Sequence, residues 1–302
     1  MQMRRPVVVA YRASLLGSVC VSALLLASPA RADGYAGRYV GPVPTNWIVN
    51  SNNQISVDFV SNRIDYLETF GGVPLDTEKG WLWGASASGS FMGNVLGIRN
   101  VYVFGQFTYL GDHTLHGEAN PVFNNTHTVA EIRDGDFRLG VGLSLSRDVM
   151  LTPYLGLGEH YWLREFTGVG GYREEYSNGY AGAGLLLQYS PIPRLVLSAN
   201  GLIGGTIDPR LKATQNGGFP IPNQTFDLGG ANIWKAGGSI DYAFTNRIHG
   251  NVGVDYAEFT YGQSPVGIGG FLEPHSRTED WTVRIGAGYS FYSDPDLYRP
   301  LK

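Results

Sequence analysis

Apolar residues alternate with small or polar residues through most of the chain beyond residue 54. In 137–146, Phe, Leu and Val occupy every second position, and Arg, Gly or Ser stands between them. Segments 234–244 and 281–291 repeat the pattern. A period of two puts neighbouring side chains on opposite faces of a β-strand, whereas an amphipathic helix needs a period near 3.6. The pattern therefore predicts strands that each have one apolar face.

Ten segments carry this period, and the connections between them alternate in length. The segments are 55–67, 80–92, 100–112, 131–146, 150–164, 173–190, 194–207, 232–245, 247–262 and 277–291. Tight turns are predicted at 147–149, at 191–193 and beside Asn246. Long polar connections cover 113–130, 208–231 and 263–276. We therefore predict an all-β fold, a single antiparallel transmembrane β-barrel of ten strands with long extracellular loops and short periplasmic turns.

One segment departs from the regular alternation. In 55–67, the apolar residues change parity near Asn62 and Arg63. An extra residue in one strand of an antiparallel pair produces such a change, so we expect a β-bulge there.

Aromatic residues recur at a fixed spacing on three of these segments. Trp precedes Phe by ten residues at 81 and 91, at 234 and 244, and at 281 and 291. At roughly 3.3 Å per residue and a tilt near 40°, this spacing covers about 25 Å along the membrane normal, the usual height between two aromatic girdles. A soluble β-sandwich does not predict this spacing. The predicted girdle residues are Trp81, Phe91, Trp234, Phe244, Trp281, Tyr289 and Phe291.

The first 32 residues have the features of a secretory signal peptide. Arg4, Arg5 and Arg12 precede the apolar run 15–27, and Ala30-Arg31-Ala32 supplies a cleavage site. We expect a signal peptide at 1–32, a periplasmic N-terminal segment at 33–54, the barrel at 55–291 and a periplasmic tail at 292–302. Segment 33–54 has no clear strand, and it either stays in the periplasm or reaches into the lumen.

Composition and charge exclude several classes of protein. The chain has 42 Gly and 13% aromatic residues, without a collagen period and without the high charge of a disordered chain. The first 32 residues hold four of the 22 Lys and Arg and none of the 26 Asp and Glu, so the remaining 270 carry a net charge of −8. Nucleic-acid binding needs a basic surface, so we expect no nucleic-acid partner.

The chain resembles the small outer-membrane β-barrel proteins of Gram-negative bacteria, the opacity-type and porin-like group. The signal ending at Ala30-Arg31-Ala32, the alternating strands and the closing segment 281–291 carry the resemblance. It implies an outer-membrane location and insertion by the barrel-assembly machinery, which recognises a final aromatic residue in such families. Here Phe291 is followed by eleven further residues, which departs from the family pattern.

Ten strands in about 270 residues are also the size of the omptin proteases. That resemblance implies an Asp-x-Asp pair on one loop and an Asp–His pair facing it from another. Asp134-Gly135-Asp136 has the acidic spacing, at the outer end of the fourth predicted strand, but 208–231 contains Asp208 and Asp227 without His. The sequence therefore predicts neither the omptin site nor any other catalytic residue, and we expect a protein that is not an enzyme.

The predicted lumen of the barrel contains charged residues of both signs. Asp255 comes seven residues after Ile248, and Arg284 comes seven residues before Phe291 in the neighbouring antiparallel strand. Both therefore lie at the same height above the periplasmic end, and we expect the two to pair. Inward aromatic residues favour a filled lumen over a charged constriction that would select ions. The charged residues predicted to face the lumen are Arg138, Lys235, Asp241, Asp255 and Arg284.

The six histidines do not form a recognisable site in the sequence. His113 and His116 are three residues apart, which places them on opposite faces of a strand, and His249 lies at a periplasmic turn. His160 faces inward, but none of the six has a Ser, Cys or paired acid at a spacing typical of nucleophilic catalysis. We expect no metal and no cofactor, although distant strands can still assemble a site.

The sequence predicts a structural or surface-interaction role through the extracellular loops. The alternatives are a narrow passive pore and, third, an envelope protease or lipid-modifying enzyme. Expected partners are outer-membrane lipid, lipopolysaccharide, the assembly machinery and an extracellular partner. Guanidinium and ammonium groups near the outer end either bind lipopolysaccharide phosphates or serve solubility. The residues concerned are Arg164, Arg173, Arg210, Lys212 and Arg277.

Overall fold

The computed structural model describes residues 46–118, 126–166, 171–215, 222–230 and 232–291. The predicted signal peptide, the tail 292–302 and segment 33–45 lie outside the described residues. Among the described residues, no helix has the length and apolar character that a membrane crossing requires.

One short helix precedes twelve strands. Helix α1 covers Trp47–Ser51. The strands are β1 Gln54–Phe70, β2 Val73–Val95, β3 Ile98–Glu118, β4 Thr126–Val141, β5 Leu143–Ser144, β6 Val149–Phe166, β7 Tyr172–Ile192, β8 Leu195–Gln215, β9 Gln224–Asp227, β10 Asn232–Ala243, β11 Ile248–Tyr261 and β12 His275–Ser290.

Ten long strands close into an antiparallel barrel. β8 pairs with β10, and β12 pairs with β1, so the sheet has no open edge along its wall. The two short strands lie off this circuit, since β5 pairs with β6 and β9 pairs with β8. The predicted all-β fold with a single ten-stranded barrel is confirmed.

The connections define two ends of the barrel. Short turns lie at 96–97, 145–148, 193–194 and 244–247, and we call this end the turn end. The opposite end is the loop end. The hairpin between β1 and β2 turns through Gly71 and Gly72, whose φ angles of +58° and +83° favour glycine.

The wall alternates between exposed apolar residues and buried residues that face the lumen. In β1, Val57 and Phe59 are exposed, while Asp58 and Val60 are buried. Most of the predicted girdle residues are exposed, as an outward orientation requires: Trp81, Phe91, Trp234, Phe244, Trp281 and Tyr289. Phe291 follows β12 and is half-buried.

The strands extend farther toward the loop end than the sequence predicts. β3 continues to Glu118 and β4 begins at Thr126, so strands occupy most of the expected loop 113–130. β8 likewise continues to Gln215. Both faces of a strand can be polar once it leaves the lipid, so backbone pairing continues where the apolar alternation stops.

The bulge expected at Asn62 and Arg63 is wrong. β1 keeps an unbroken register with both neighbours through these residues, and its pairing with β2 shifts only between Glu68 and Thr69. The apparent change of parity arises because Val60, Ile64 and Tyr66 are apolar residues buried in the lumen.

A bulge that the sequence did not predict lies in β8. Ser177 pairs with Arg210 and Gly179 with Ile207, so β8 carries one extra residue between these positions. Asp208 has a φ of +52° at this point. The extra residue reverses the parity of the strand, and Leu211 becomes an inward, buried residue.

The described part of the N-terminal segment enters the lumen at the turn end. The Asn46 side chain caps α1 by accepting from the Ile48 and Val49 amides at 3.0 and 3.2 Å. Ile48 and Val49 are buried. Asn52 Nδ2 donates to Gln188 Oε1 at 2.6 Å, and these contacts hold α1 against the wall.

Candidate functional site

The lumen contains most of the charged side chains that the sequence singled out. Arg284 Nε donates to Asp255 Oδ2 at 2.6 Å, which is the predicted contact. The two residues are diagonal neighbours, because Asp255 pairs with Thr282 and Arg284 with Gly253. A Cβ on Gly253 would lie 2.9 Å from Arg284 Nη2, so glycine leaves room for the guanidinium.

Arg138 and Lys235 lie in a second group around Asp136. Arg138 Nη2 donates to Asp136 Oδ2 at 2.9 Å, and Lys235 Nζ donates to Tyr180 Oη at 2.5 Å. The Arg138 guanidinium also lies over the Tyr154 ring, 5.2 Å from its centre. Each cation thus has an acidic, phenolic or aromatic partner that offsets the cost of leaving bulk water.

The fifth predicted residue, Asp241, is separate from these groups. It lies near the turn end, where His249 Nδ1 is 2.7 Å from Asp241 Oδ1 and Gln54 Nε2 donates to Asp241 Oδ2 at 3.2 Å. The five lumen residues therefore belong to separate groups of contacts.

The sequence also missed a contact between His160 and Asp134. His160 Nδ1 lies 2.7 Å from Asp134 Oδ1, and the imidazole stacks on the Phe259 ring with centroids 4.3 Å apart. Asp134 and His160 face each other in the β4–β6 register. Asp134 and His160 are equally far from residue 147, so a hairpin centred there would have predicted the pair. The spacing of residues along a single strand could not.

The Asp134-Gly135-Asp136 motif occupies a different place from the one predicted. β4 extends back to Thr126, so the motif lies in the middle of the strand. Asp208 and Asp227, considered as its partners, both lie near exposed Arg210, at 3.0 and 3.7 Å from its Nε. Each acid of the motif is thus engaged by a lumen side chain rather than by 208–231.

Arg164 is the centre of the largest charge cluster, at the loop end of the lumen. Its Nε donates to Glu78 at 2.5 Å, Nη1 to Glu174 at 2.9 Å and Nη2 to Asp76 at 2.7 Å. Thr114 Oγ1 donates to the second oxygen of Glu78. One fully buried guanidinium therefore contacts three carboxylates, and each of its three nitrogens donates to one of them.

The interpretation of Arg164 as an outer-surface cation is wrong. Its side chain is 1% exposed and lies over the Tyr66 ring at 4.4 Å and the Trp162 ring at 5.1 Å. The other cations considered for lipid phosphates are more exposed, and each contacts a carboxylate: Arg173 with Glu175, Lys212 with Glu175, Arg210 with Asp208, and Arg277 with Glu258.

Glu273 attaches the connection between β11 and β12 to this cluster. Tyr176 Oη donates to Glu273 Oε1 at 2.6 Å, and the Glu273 amide donates to Ser264 Oγ at 2.8 Å. Burial raises the pKa of Glu273 well above its usual range, and the Glu174 and Glu68 carboxylates raise it further. This connection is therefore anchored through a carboxyl group that resists ionisation.

Metal ligands are not gathered in the part of the chain that the structure describes. No group of three or more His, Cys, Asp or Glu side chains there is arranged to hold an ion. His113 is exposed, 3.3 Å from Asp112. The side chain of His116, its predicted neighbour, lies outside the described residues.

Comparisons with known proteins identify the fold. Neither a family model nor a curated protein sequence matches the chain. The outer membrane protease OmpT from Escherichia coli is similar, with a TM-score of 0.52 over 80% of this chain and 98% of OmpT at 9% identity. Ail of Yersinia pestis has a TM-score of 0.33 over 80% of this chain and 99% of Ail at 10% identity. Neisserial surface protein A has a TM-score of 0.31 over 78% of this chain and 97% of its own chain, also at 10% identity.

The likeness to OmpT, at 9% identity, concerns the fold alone. The resemblance to small outer-membrane β-barrels that the sequence predicts is confirmed at this level. The fold is that of an outer-membrane barrel.

Replacing Arg164 tests the charge cluster. Arg164→Met leaves three buried carboxylates without their counter-charge, so we expect a loss of about 3–5 kcal/mol in the free energy of unfolding. Arg164→Lys restores little, since one ammonium cannot reproduce three directed contacts. Urea unfolding of the refolded barrel, followed by tryptophan fluorescence, measures the change. The control is Arg210→Met, an exposed ion pair worth about 0–1 kcal/mol. Equal effects of the two Met variants would contradict the assignment.

Glu273 predicts a pH dependence of stability. Its pKa is raised in the folded state relative to about 4.3 in the unfolded chain, so the folded state binds more protons above that pH. The free energy of unfolding should therefore fall as pH rises from about 4 toward the folded pKa. Glu273→Gln removes this pH-dependent loss of stability. The melting temperature of the variant minus that of the native chain should therefore increase from pH 4 to pH 8. Glu258→Gln, at an exposed ion pair, should lack this trend; a shared trend would refute the explanation.

Proposed function

We propose that the chain is a non-conducting outer-membrane barrel with a structural and surface-contact role, its turn end in the periplasm and its loop end outside the cell. The packing of the lumen supports this proposal most directly. Met92 near the turn end is 0% exposed, Tyr102 is 3% exposed, and Trp162 near the loop end is 1% exposed. Side chains that exclude water at several heights favour a lumen without a continuous aqueous path.

The pairing of the lumen charges also favours a filled barrel over a selective pore. A constriction that selects ions presents charge of one sign to the passing ion. Here Arg284 contacts Asp255, Arg138 contacts Asp136, and Arg164 contacts carboxylates. Charges paired in this way stabilise the packing of side chains in the lumen and do not present a single sign of charge to a passing ion.

The loop end offers apolar side chains for contact. Phe70 and Val73 are exposed at the tip of the β1–β2 hairpin, and Val266 and Ile268 are exposed in the connection before β12. Exposed apolar groups beyond the lipid are typical of surfaces that bind partners. The connection lies within the predicted contact loop 263–276, whereas the hairpin was not among the predicted loops.

The proposed partners follow from the outer face of the wall. Lipid contacts the exposed apolar band between the girdles, and the assembly machinery reads the end of β12 near Phe291. Lipopolysaccharide phosphates lie within reach of exposed cations such as Arg277, where they compete with the Glu258 carboxylate.

Planar-bilayer recording tests the filled lumen. The refolded chain 33–302 should give no steady current steps, because side chains close the lumen at several heights. Arg138→Gln removes the guanidinium that donates to Asp136, so it should lower the melting temperature while the bilayer stays silent. Steady salt-dependent steps in the native chain, with an ion selectivity that Arg138→Gln changes, would establish the pore alternative.

A surface-contact assay tests the loop end. We expect a variant with Ser at Phe70, Val73, Val266 and Ile268 to lose most of the retention of expressing cells on protein-coated surfaces, since it removes the exposed apolar groups. Leu96→Ser is the matched control, because Leu96 is 99% exposed at the opposite end. If the native chain, the variant changed at these four residues and Leu96→Ser give equal retention at equal surface expression, the four residues are not the contact surface.

A further inference from the structure

Three side chains at the turn end form one continuous chain of hydrogen-bond contacts. Ser290 Oγ lies 2.7 Å from His249 Nε2, and His249 Nδ1 lies 2.7 Å from Asp241 Oδ1. They come from the neighbouring strands β12, β11 and β10 and all face the lumen. Gln54 fixes the second oxygen of Asp241 from β1.

The strand register explains why these residues meet. The short turn between β10 and β11 pairs Ala243 with His249, which places Asp241 one inward position away on the same face. His249 pairs with Gly288 in β12, and Ser290 is the next inward residue of that strand. The glycine opposite His249 leaves room for the Gln54 side chain, because a Cβ on Gly288 would overlap Gln54 Oε1. The residues are far apart in sequence, so spacing did not indicate the arrangement.

The order of contacts is the one that activates a hydroxyl nucleophile. A carboxylate that accepts from Nδ1–H leaves Nε2 free to take the proton of a serine. Among the histidines whose side chains the structure describes, the recorded contacts of His249 alone join a carboxylate to a hydroxyl. His160 contacts a carboxylate and stacks on Phe259, and His275 contacts a backbone carbonyl.

Asn50 of α1 supplies an independent observation at the same place. Its carbonyl oxygen lies 3.5 Å from Ser290 Oγ. Its side chain is 6% exposed, and its Nδ2 has no hydrogen-bond partner in the described structure. A buried amide without an acceptor, on the residue that contacts the serine, is a donor available to a developing oxyanion.

We propose that Ser290, His249 and Asp241 form an acyl-transfer site for carboxylic esters, which α1 covers. Ser290 Oγ bonds to the ester carbonyl carbon, its proton passes to His249 Nε2, and the C–O bond breaks as the alcohol leaves with that proton. Water then attacks the acyl-serine, gives a proton to His249, and releases the acid while Ser290 recovers its hydrogen. Asp241 holds the imidazole orientation, and Asn50 Nδ2 donates to the oxyanion once α1 has returned over the bound ester. Attack by Ser290 itself requires His249 and Asp241, not Asn50.

Helix α1 sets access to this site. Ser290 is 1% exposed beneath it, so an ester reaches the hydroxyl only when α1 moves. α1 has five residues and lies inside the wall rather than being part of it. Its movement therefore breaks no strand pairing, and the substrate enters through the turn end.

A serine-reactive phosphonofluoridate tests the site in the refolded full mature chain. The probe forms a bond between Ser290 Oγ and phosphorus while fluoride leaves and His249 takes the proton. We expect slow labelling of the native chain and at least tenfold faster labelling of Ile48→Asp, which displaces α1 by placing a charge where an apolar side chain is buried. Mass spectrometry should locate the adduct on Ser290.

Variants in the Ile48→Asp background separate catalysis from packing. Ser290→Ala should abolish labelling, and His249→Gln should slow it at least a hundredfold. Ser88→Ala is the matched control, since Ser88 is a lumen serine bonded to Ser56. The same variants should rank identically in hydrolysis of p-nitrophenyl butyrate.

The proposal fails if folded Ile48→Asp gives no Ser290 adduct, or if His249→Gln labels as fast as its parent. Heat-modifiable migration on gels shows which variants fold. If Ile48→Asp does not fold, Asn52→Ala replaces it, because this change removes the contact with Gln188 that holds α1 to the wall. Absence of a Ser290 adduct in that variant would equally overturn the site.

Discussion

The closure of β12 onto β1 is the constraint on which the other features depend. It runs from Gln54 opposite Ser290 to Thr69 opposite His275 and satisfies backbone groups that lipid could not. Closure also fixes what meets inside. It places Gln54 beside Asp241, and it sets Asp58 opposite Gly286, where a Cβ would overlap the carboxylate. The inward glycines of the seam are therefore part of the closure.

A closed wall of ten strands then requires that each buried charge has a partner and that side chains fill the volume. Leaving water costs an isolated charge far more than one contact returns, so buried ions persist only with partners. Arg164 shows the extreme case, with acids from β2 and β7 on one guanidinium. Aromatic rings fill the space between such groups, which is why charge and tight packing occur together in this lumen.

The sequence predicts the part of the barrel that lipid constrains. Inside that band, one face must be apolar, so the alternation gives the ten strands, the outward girdle residues and the Asp255–Arg284 contact. Beyond the lipid that constraint ends, and the prediction stops β3 before its true end at Glu118. Apolar lumen residues such as Val60 and Ile64 mislead it in β1, because burial inside the barrel selects the same residues as lipid does.

Apart from Asp255 with Arg284, the contacts between strands were not predicted from the sequence. Asp134 with His160, and Asp241 with His249, join residues that only the register of a hairpin brings together. Helix α1 has too few residues for a periodic signal, and its position depends on amide contacts such as Asn52 with Gln188. The alternation of apolar and polar residues along one segment predicts neither the contacts between strands nor the position of α1.

Different chemistry fills the two ends of the lumen in the part of the chain that the structure describes. At the loop end, the charged side chains belong to the wall strands themselves. Opening the lumen there would therefore separate ion pairs and break strand pairing at the same time. At the turn end, α1 is one short segment held by amides, hydroxyls and two buried apolar residues, Ile48 and Val49. Releasing it exposes limited apolar surface and leaves the wall intact. Movement that admits a molecule to the lumen is therefore expected at the turn end.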